Sequence, residues 1–392
     1  MQTFDLILVG GGLSGASLAA ALRDSSLSIA LVEEDAGLPQ PVSPDAWDVR
    51  VYAITPANAA FLAEIGVWAH LDPARMAAVR FMEVREGSAG GRLMFDAREA
   101  GMAELAWVLE ASSMAGELRE GLKRQANLTR FCPARPAALE IGEKEAVVTL
   151  EDGRVLAAPL VIGADGRDSW VRQAAGLPAR DIPYRAAGVV ANFACAKPHR
   201  GTAWQWFRAD GVLAWLPLPG ERISIVWSAP EEKAQALLAL TPEELAAEVA
   251  AAGGEKLGAL TTITPAAAFP LRLIRVPHVI APRLALIGDA AHGIHPLTGH
   301  GINLGFQDAR VLAALLKNAV EGQDIGEASF LARYQRARRE EVCLLQSVTD
   351  LLAHLFSSPL PGLSALRGLG LSLTHRLPAM KNLLARYAAG IG

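Results

Sequence analysis

Residues 4–15 read FDLILVGGGLSG, an apolar run that ends at once in three consecutive glycines. The run FDLILV predicts a buried β-strand. The Ala- and Leu-rich residues 13–22 predict a helix packed closely on a sheet, and residues 28–32 predict a second strand. Strand, glycine turn, helix and strand in this order form the βαβ unit that binds dinucleotide cofactors.

The glycine turn has the spacing G-x-G-x-x-G, formed by Gly10, Gly12 and Gly15. In such a turn the first glycine permits the tight bend, the second lets a pyrophosphate approach, and the third lets helix and strand pack closely. Leu13 and Ser14 lie inside the motif, so we predict that they contact the cofactor as well. The motif alone does not separate NAD from FAD.

An acid, Glu33, follows the second predicted strand, with Glu34 next to it. A carboxylate at this point of a βαβ unit can accept hydrogen bonds from the hydroxyls of an adenosine ribose. We predict this role for Glu33 because it directly follows the strand, and Glu34 is the second candidate.

A further apolar run, residues 284–287, leads into GDAAHGIHPLTGHGINLGFQD at 288–308. Asp289 can accept a hydrogen bond from a polyol hydroxyl. The backbone N–H groups of Gly301, Ile302 and Asn303, free at a helix N-terminus, can face a developing negative charge on a flat ring. This pattern is typical of a site for a diphosphate cofactor with a polyol and a ring, as in a flavin.

A third apolar run, residues 160–163, ends close to Asp165. Taken alone, this pattern fits a turn with a helix cap equally well. Together with Asp289, however, it places a second strand-terminal acid downstream of the glycine turn. Because the carboxyl ends of parallel strands share one edge of a sheet, the two acids favour FAD over NAD.

Composition limits the class of protein. At 392 residues, with 51% apolar and 20% charged residues, the chain is long and apolar enough for two or three globular domains. A net charge of −4 gives no indication of a nucleic-acid partner. The three cysteines have no metal-ligand spacing, and the N-terminus does not resemble a signal peptide, so we predict a reducing, cytoplasmic setting and no metal site. No run of 18 apolar residues predicts a transmembrane helix.

These motifs carry a family resemblance over nearly the whole chain. The chain resembles the class A, single-component flavin aromatic hydroxylases of the para-hydroxybenzoate hydroxylase fold and, more narrowly, the ubiquinone-biosynthesis hydroxylase family. The matching segments, besides the glycine turn and residues 288–308, are RVYAI at 50–54, WVLE at 107–110, D-G-x-x-S-x-x-R at 165–172, AWQ at 203–205, LAWLPL at 213–218, FPL at 269–271 and TDL at 349–351. One departure is Gly299-His300-Gly301, where the family usually has Gly-Gln-Gly.

The resemblance implies a role for each matched residue. The glycines would hold the FAD pyrophosphate and Glu33 the adenosine ribose. Arg50 would lie near the pyrophosphate and ribityl chain, and Glu110 beside the FAD. Asp165 would face the adenine half or the pyrophosphate and bridge toward NAD(P)H docking. Asp289 would bind the ribitol, and Gly301, Ile302 and Asn303 would line the isoalloxazine. For Arg50 and Glu110, a surface charge or a local salt bridge is the alternative interpretation. No catalytic base is assigned, and His292 and His295 are interpreted as residues that build the flavin loop.

The resemblance also implies a reaction. NAD(P)H or another donor would reduce FAD, the reduced flavin would form a C4a-hydroperoxide with O₂, and the ring of a prenylated phenol would take up the oxygen atom. Two alternatives stay open at this point. A hydroxylase of a small soluble phenol or benzoate predicts an arginine that anchors a carboxylate, with Arg185 or Arg208 as candidates. A non-catalytic flavoprotein scaffold within a biosynthetic complex is the other.

We predict an α/β chain with a Rossmann-like FAD-binding domain at residues 1–75, 103–185 and 269–350. A mixed-sheet substrate domain would take up residues 76–102 and 186–268, with a helix at 242–252 capped by Thr241. Its tryptophans are interpreted as sheet core, with an aromatic wall around a planar substrate as the alternative.

The chain would end in a helical region, residues 351–392, without Asp or Glu after Leu351. Its apolar stripe (Leu377, Met380, Leu384 and Tyr387) lies beside basic residues. The stripe predicts a helix that packs on its own chain or a twin subunit. The alternative is an interfacial helix at the inner face of a membrane, beside anionic lipid.

Overall fold

The computed structural model describes residues 1–35, 46–86, 91–294, 299, 301–357, 382 and 386, and for 352–357 the backbone only. The predictions for His295, His300 and the apolar stripe of the tail therefore lie outside the described residues. No helix in the described part of the chain is both long and apolar enough to span a membrane.

The described strands follow the apolar runs of the sequence. In chain order they are β1 (Gln2–Thr3), β2 (Leu6–Val9), β3 (Ile29–Val32), β4 (Val51–Ile54), β5 (Ala77–Val79), β6 (Phe81–Glu86), β7 (Arg92–Asp96), β8 (Ala106–Glu110), β9 (Leu128–Phe131), β10 (Pro136–Ile141), β11 (Ala146–Leu150), β12 (Val155–Ala158), β13 (Leu160–Gly163), β14 (Arg180–Cys195), β15 (Thr202–Arg208), β16 (Gly211–Leu218), β17 (Arg222–Pro230), β18 (Leu260–Thr262), β19 (Ala267–Arg275), β20 (Ile280–Ala281), β21 (Leu284–Leu286) and β22 (His292–Gly293).

The described helices are α1 (Leu13–Ala21), α2 (Pro56–Glu64), α3 (Ala111–Lys123), α4 (Trp170–Ala174), α5 (Glu231–Leu238), α6 (Pro242–Ala252), α7 (Gly301–Lys317) and α8 (Ala328–Ser357). Helix α6 has the predicted bounds. Thr241 accepts a hydrogen bond from the Glu244 N–H, and the Glu244 carboxylate accepts one from the Thr241 N–H. This reciprocal capping box satisfies two N–H groups that the helix itself cannot pair, which explains why the sequence signal was reliable.

The first layer of the fold is a sheet of order β20-β21-β13-β2-β3-β9, in which all neighbours but β20 and β21 are parallel. One face packs on α1, α3 and α7, and the other on a small sheet of order β1-β12-β11-β10. Strands β2, β3, β13 and β21 are fully buried, as their continuous apolar runs predict. The α/β fold with a Rossmann-like FAD-binding part is confirmed.

The second layer is a nine-stranded mixed sheet of order β22-β19-β14-β17-β16-β15-β6-β7, with β18 added beside β14. Strand β6 runs parallel to β15, whereas the other neighbours are antiparallel. Two of the predicted domain boundaries, after residues 185 and 268, fall inside β14 and β19. Both strands continue from one predicted domain into the other, and the division into domains stays a prediction.

The two faces of this sheet differ because side chains alternate along each strand. Trp215 and Trp227, both fully buried, face α5 and α6 together with Trp204 and Trp206. The interpretation of these tryptophans as sheet core therefore agrees with the structure. The opposite face carries smaller residues, and it borders the cavity described below.

Candidate functional site

The turn between β2 and α1 is shaped by close packing on one side and open space on the other. Gly10 has a φ of +103°, and a Cβ there would overlap the carbonyl oxygen of Ala164. A Cβ at Gly15 would overlap the carbonyl oxygen of Gly10. A Cβ at Gly12, in contrast, would meet no atom within 4 Å. Gly10 and Gly15 are thus required by packing, and Gly12 leaves the backbone open to a ligand.

Of the two candidate acids after β3, Glu33 lies against the glycine turn. Its carboxylate occupies the space that a Cβ at Gly11 would need, and it is 2.7 Å from Nη2 of Arg130. Glu34 is exposed and lies 3.4 Å from Arg135. The geometry favours Glu33 over Glu34 for the ribose, a role that stays a prediction.

Asp165 is half-buried in the loop that leads from β13 to α4. Its Oδ2 accepts a hydrogen bond of 2.9 Å from the Val171 N–H, whereas its Oδ1 is buried and has no partner in the described structure. Burial raises the pKa of this carboxyl, because the charged form loses its water. One oxygen thus acts as the helix cap of the alternative interpretation, and the other remains able to bind a ligand group.

A cavity of about 960 Å³ lies between the parallel sheet and the mixed sheet. Eight of the predicted cofactor residues line it: Gly12, Leu13, Ser14, Arg50, Asp289, Gly301, Ile302 and Asn303. Six do not: Gly10, Gly15, Glu33, Glu34, Glu110 and Asp165. The structure therefore brings together groups that the sequence separates by almost 300 positions.

Asp289 lies in a 3₁₀ turn, Gly288–Ala290, where its side chain is exposed to the cavity. The turn is tied to α7 by Asp308, whose Oδ2 accepts a hydrogen bond of 2.9 Å from the Gly288 N–H. His292 Nε2 lies 2.6 Å from the same oxygen, and Arg338 Nε lies 2.7 Å from Oδ1. His292 thus has the predicted place as a loop-building residue.

Asp308, His292 and Arg338 are buried together, and their charges shift one another's pKa values. Burial favours the neutral form of Asp308, but His292 and Arg338 outweigh it and hold the pKa of that carboxyl below its usual range. Burial likewise opposes protonation of His292, but the Asp308 carboxylate raises the pKa of the imidazole above its ordinary value. The charges are therefore stabilised by each other rather than by water.

Helix α7 begins at the cavity wall, and the Asn303 side chain fixes its first turn. The Asn303 Oδ1 accepts hydrogen bonds from the Thr55 N–H and from Asn58 Nδ2, at 3.0 and 2.9 Å. Its Nδ2 donates to the carbonyl oxygen of Ala53 at 2.8 Å. A Cβ at Gly301 would meet no atom within 4 Å, so the helix N-terminus is open toward the cavity. An N-terminus of this kind attracts negative charge.

Arg50 and Glu110 have different surroundings. Arg50 is exposed and lines the cavity. Glu110 is fully buried, and its Oε2 is 2.7 Å from Nε of Arg75, which makes the local salt bridge the observed contact of this carboxylate.

On strands β14 to β17, the mixed-sheet wall of the cavity is formed by alternate residues, and Trp204 lines the cavity as well. These residues are Val190, Ala203, Gln205, Val212, Ala214, Leu216, Ser224, Val226 and Ser228. Of the charged residues that line the cavity, Arg50, Arg167, Asp168 and Asp289 lie outside the mixed sheet, whereas Arg272 lies on its strand β19. Tyr52 also lines the cavity, and its pKa is raised by burial and by Asp289. The part of the wall that strands β14 to β17 form is thus uncharged.

These residues fit FAD. The open backbone at Gly12, the acid Asp289 and the open start of α7 line one cavity, and they offer the kinds of group that a pyrophosphate, a polyol and a flat ring require. The fold and the cavity together define a FAD-dependent monooxygenase. The chain belongs to the FAD binding domain family, which matches residues 3–345.

Two relatives are similar over nearly their full length. Ubiquinone hydroxylase UbiL of Rhodospirillum rubrum is 35% identical, covering 98% of this chain and 89% of the relative. The 3-demethoxyubiquinol 3-hydroxylase of Escherichia coli is 33% identical, covering 100% and 99%. The resemblance to ubiquinone-biosynthesis hydroxylases is confirmed.

Solved structures show the same fold. PqsL of Pseudomonas aeruginosa, a probable FAD-dependent monooxygenase, is 24% identical with a TM-score of 0.77, covering 94% of this chain and 99% of that one. HpxO of Klebsiella pneumoniae, solved with FAD and uric acid, is 17% identical with a TM-score of 0.76, covering 98% and 97%.

Proposed function

We propose that this protein hydroxylates the aromatic ring of a prenylated phenol in ubiquinone biosynthesis, with O₂ and a reductant such as NAD(P)H. The observation that carries the proposal is the uncharged surface that strands β14 to β17 of the mixed sheet present to the cavity, which suits an apolar substrate better than a carboxylate. The names of the two similar relatives support the same substrate class.

The cofactor supplies the chemistry, activating O₂ for transfer of one oxygen atom to the ring. The chain's own part is binding, orientation and exclusion of water. Gly12 would hold the pyrophosphate of FAD, Asp289 its polyol and the start of α7 its ring. The apolar side chains of the sheet wall, such as Leu216 and Val226, would keep water away from the reacting ring.

The benzoate alternative predicts an arginine anchor, and neither candidate supports it. Arg185 is exposed and does not line the cavity. Arg208 pairs with Asp210 at 2.8 Å and lies over the ring of Trp227. Substrate-dependent NAD(P)H oxidation distinguishes the two substrate classes. We expect turnover with prenylated phenols, and turnover with simple benzoates alone would contradict the proposal.

Quinone profiling of a deletion strain tests the proposed pathway. We expect an intermediate that lacks one ring hydroxyl to accumulate, and its structure identifies the hydroxylated carbon. An unchanged quinone profile would exclude the proposed function. Complementation with Asp289→Ala then tests the scaffold alternative, because a scaffold restores quinone synthesis without a working flavin site, whereas the proposed enzyme does not.

We further propose that the protein associates with anionic lipid. Leu344, Val348 and Leu351 form an exposed apolar stripe on α8, and the chain beyond them has basic but no acidic residues. Liposome flotation tests this with a chain shortened at residue 350. Equal flotation of the full and shortened chains would exclude lipid association through residues 351–392, and a change in mass by light scattering would indicate a homo-oligomer or complex instead.

A further inference from the structure

The segment formed by residues 46–50 brings Arg50 to the cavity wall, and its backbone is held by β8, a strand of the three-stranded sheet β4-β8-β5, and by β14 of the mixed sheet. The Asp48 N–H donates a hydrogen bond of 2.5 Å to Oε1 of Glu110, at the end of β8. The Asp48 carbonyl oxygen accepts one of 2.9 Å from Nδ2 of Asn192, on β14. The segment therefore connects β8 to the mixed sheet.

The Asp48 side chain fixes the turn that leads to Arg50. Its Oδ1 accepts a hydrogen bond of 2.9 Å from the Arg50 N–H, and its Oδ2 accepts one of 3.0 Å from the Ser112 N–H in the first turn of α3. A single carboxylate thus sets the position of the Arg50 backbone relative to a helix of the FAD-binding part.

The buried ion pair of Arg75 and Glu110 holds the same segment from behind. Arg75 Nη2 donates to Glu110 Oε1 at 2.9 Å and to the Ala46 carbonyl oxygen at 2.7 Å, and its guanidinium stacks 4.3 Å from the centre of the Trp47 ring. Because Glu110 is fully buried, its charge cannot be balanced by water. The pair therefore resists displacement of residues 46–48.

Arg50 itself combines a fixed backbone with an unpaired charge. Its carbonyl oxygen accepts a hydrogen bond of 2.9 Å from the Ala111 N–H. Its guanidinium faces the cavity and has no hydrogen-bond or ion-pair partner among the described residues. A cation held in this way can bind an anionic group of a ligand without first leaving another partner.

We propose that Asp48, Arg75 and Glu110 are positioning residues that hold Arg50 on the cavity wall for the anionic part of the bound flavin. Glu110 then acts on the cofactor through Asp48 and Arg50, without contact to it. This inference rests on the proposed function of the cavity as a flavin hydroxylase site. It assigns roles to Asp48 and Arg75, for which the sequence offered none.

A double-mutant cycle on FAD affinity tests the inference. We expect Glu110→Gln and Arg50→Ala each to weaken FAD binding about tenfold, the size of one charge-assisted hydrogen bond. The double variant should bind FAD no more weakly than Arg50→Ala alone, because both changes remove the same contact. An effect of Glu110→Gln that adds in full to that of Arg50→Ala would overturn the inference, as would unchanged FAD affinity in Glu110→Gln.

Two further variants separate positioning from general stability. Asp48→Asn removes the acceptor of the Ser112 N–H hydrogen bond and leaves the buried ion pair of Arg75 and Glu110 intact. If Glu110→Gln fails to fold, Asp48→Asn replaces it in the double-mutant cycle with Arg50→Ala. Asp324→Asn removes the partner of Arg283, a mostly buried arginine away from the cavity, and should leave FAD affinity unchanged. Hydroxylation of prenylated phenols is measured separately, so additivity in the cycle would reject the positioning role while the proposed reaction stands.

Discussion

His292 and Asp308 form a buried pair in which His292 Nε2 lies 2.6 Å from Asp308 Oδ2. The same Asp308 oxygen also accepts a hydrogen bond from the Gly288 N–H. The turn that presents Asp289 to the cavity is therefore anchored by a charge pair, not by apolar packing alone. Arg338 of α8 completes the group from the other side of the carboxylate. Substitutions in this group should lower both the free energy of unfolding and the affinity for FAD.

Asp308→Asn tests the anchoring. The change leaves Arg338 buried without its main counter-charge, so we expect the free energy of unfolding to fall by about 3–5 kcal/mol. Urea denaturation measures it. Glu341→Gln is the matched control, because Glu341 pairs with the same arginine but its side chain is 32% exposed, and we expect a much smaller loss. Equal losses in the two variants would contradict the role of Asp308.

The pH dependence of stability follows from His292. Its folded-state pKa is raised, so the folded protein holds this proton more tightly than the unfolded chain. The resulting stabilisation is full below the ordinary histidine pKa of about 6.5 and is lost as pH rises through the folded value. Urea unfolding from pH 6 to pH 9 should show the wild type losing stability relative to His292→Asn. A difference between the two that does not change with pH would be evidence against this assignment.

Asp289→Asn tests the predicted flavin contact without disturbing the fold. The side chain is exposed to the cavity, so we expect unchanged stability and a FAD affinity reduced about tenfold or more. Asp168→Asn is the control, since Asp168 also lines the cavity but pairs with Arg272 at 3.0 Å. An equal loss of FAD affinity in both variants would point to the overall charge of the cavity instead.

Ala214→Leu tests the substrate wall. The larger side chain fills space on the cavity face of β16, so we expect the KM for a prenylated phenol to rise about tenfold while FAD affinity stays the same. Steady-state kinetics and flavin titration measure the two quantities. An unchanged KM would place the substrate ring elsewhere in the cavity.

The sequence predicted those parts of the fold that depend on residues close together in the chain. The glycine turn, the capped helix α6 and the fully apolar strands each follow from neighbouring residues, and each lies where it was predicted. The grouping of Asp289 with the glycine turn at the cavity could also be predicted, because parallel strands bring their carboxyl ends to one edge of the sheet.

The supporting contacts were beyond sequence reasoning. Asp48 meets Ser112 across 64 positions, and Asp308 meets Arg338 across 30. Neither pair has a periodic or spaced pattern, since an ion pair depends on the final packing of distant elements. For Glu110 the sequence left a local salt bridge open as an alternative, but it did not indicate Arg75 as the partner.

The alternation of the mixed sheet separates two kinds of evolutionary change. On β16 and β17 the even-numbered positions border the cavity, whereas the odd-numbered positions, including Trp215 and Trp227, belong to the core beneath α5 and α6. Substitutions at even positions can therefore reshape the space for a new substrate at little thermodynamic cost to the fold. A hydroxylase of this fold could change its substrate by exchanging small residues on one side of the sheet while the tryptophan layer on the other side stays the same.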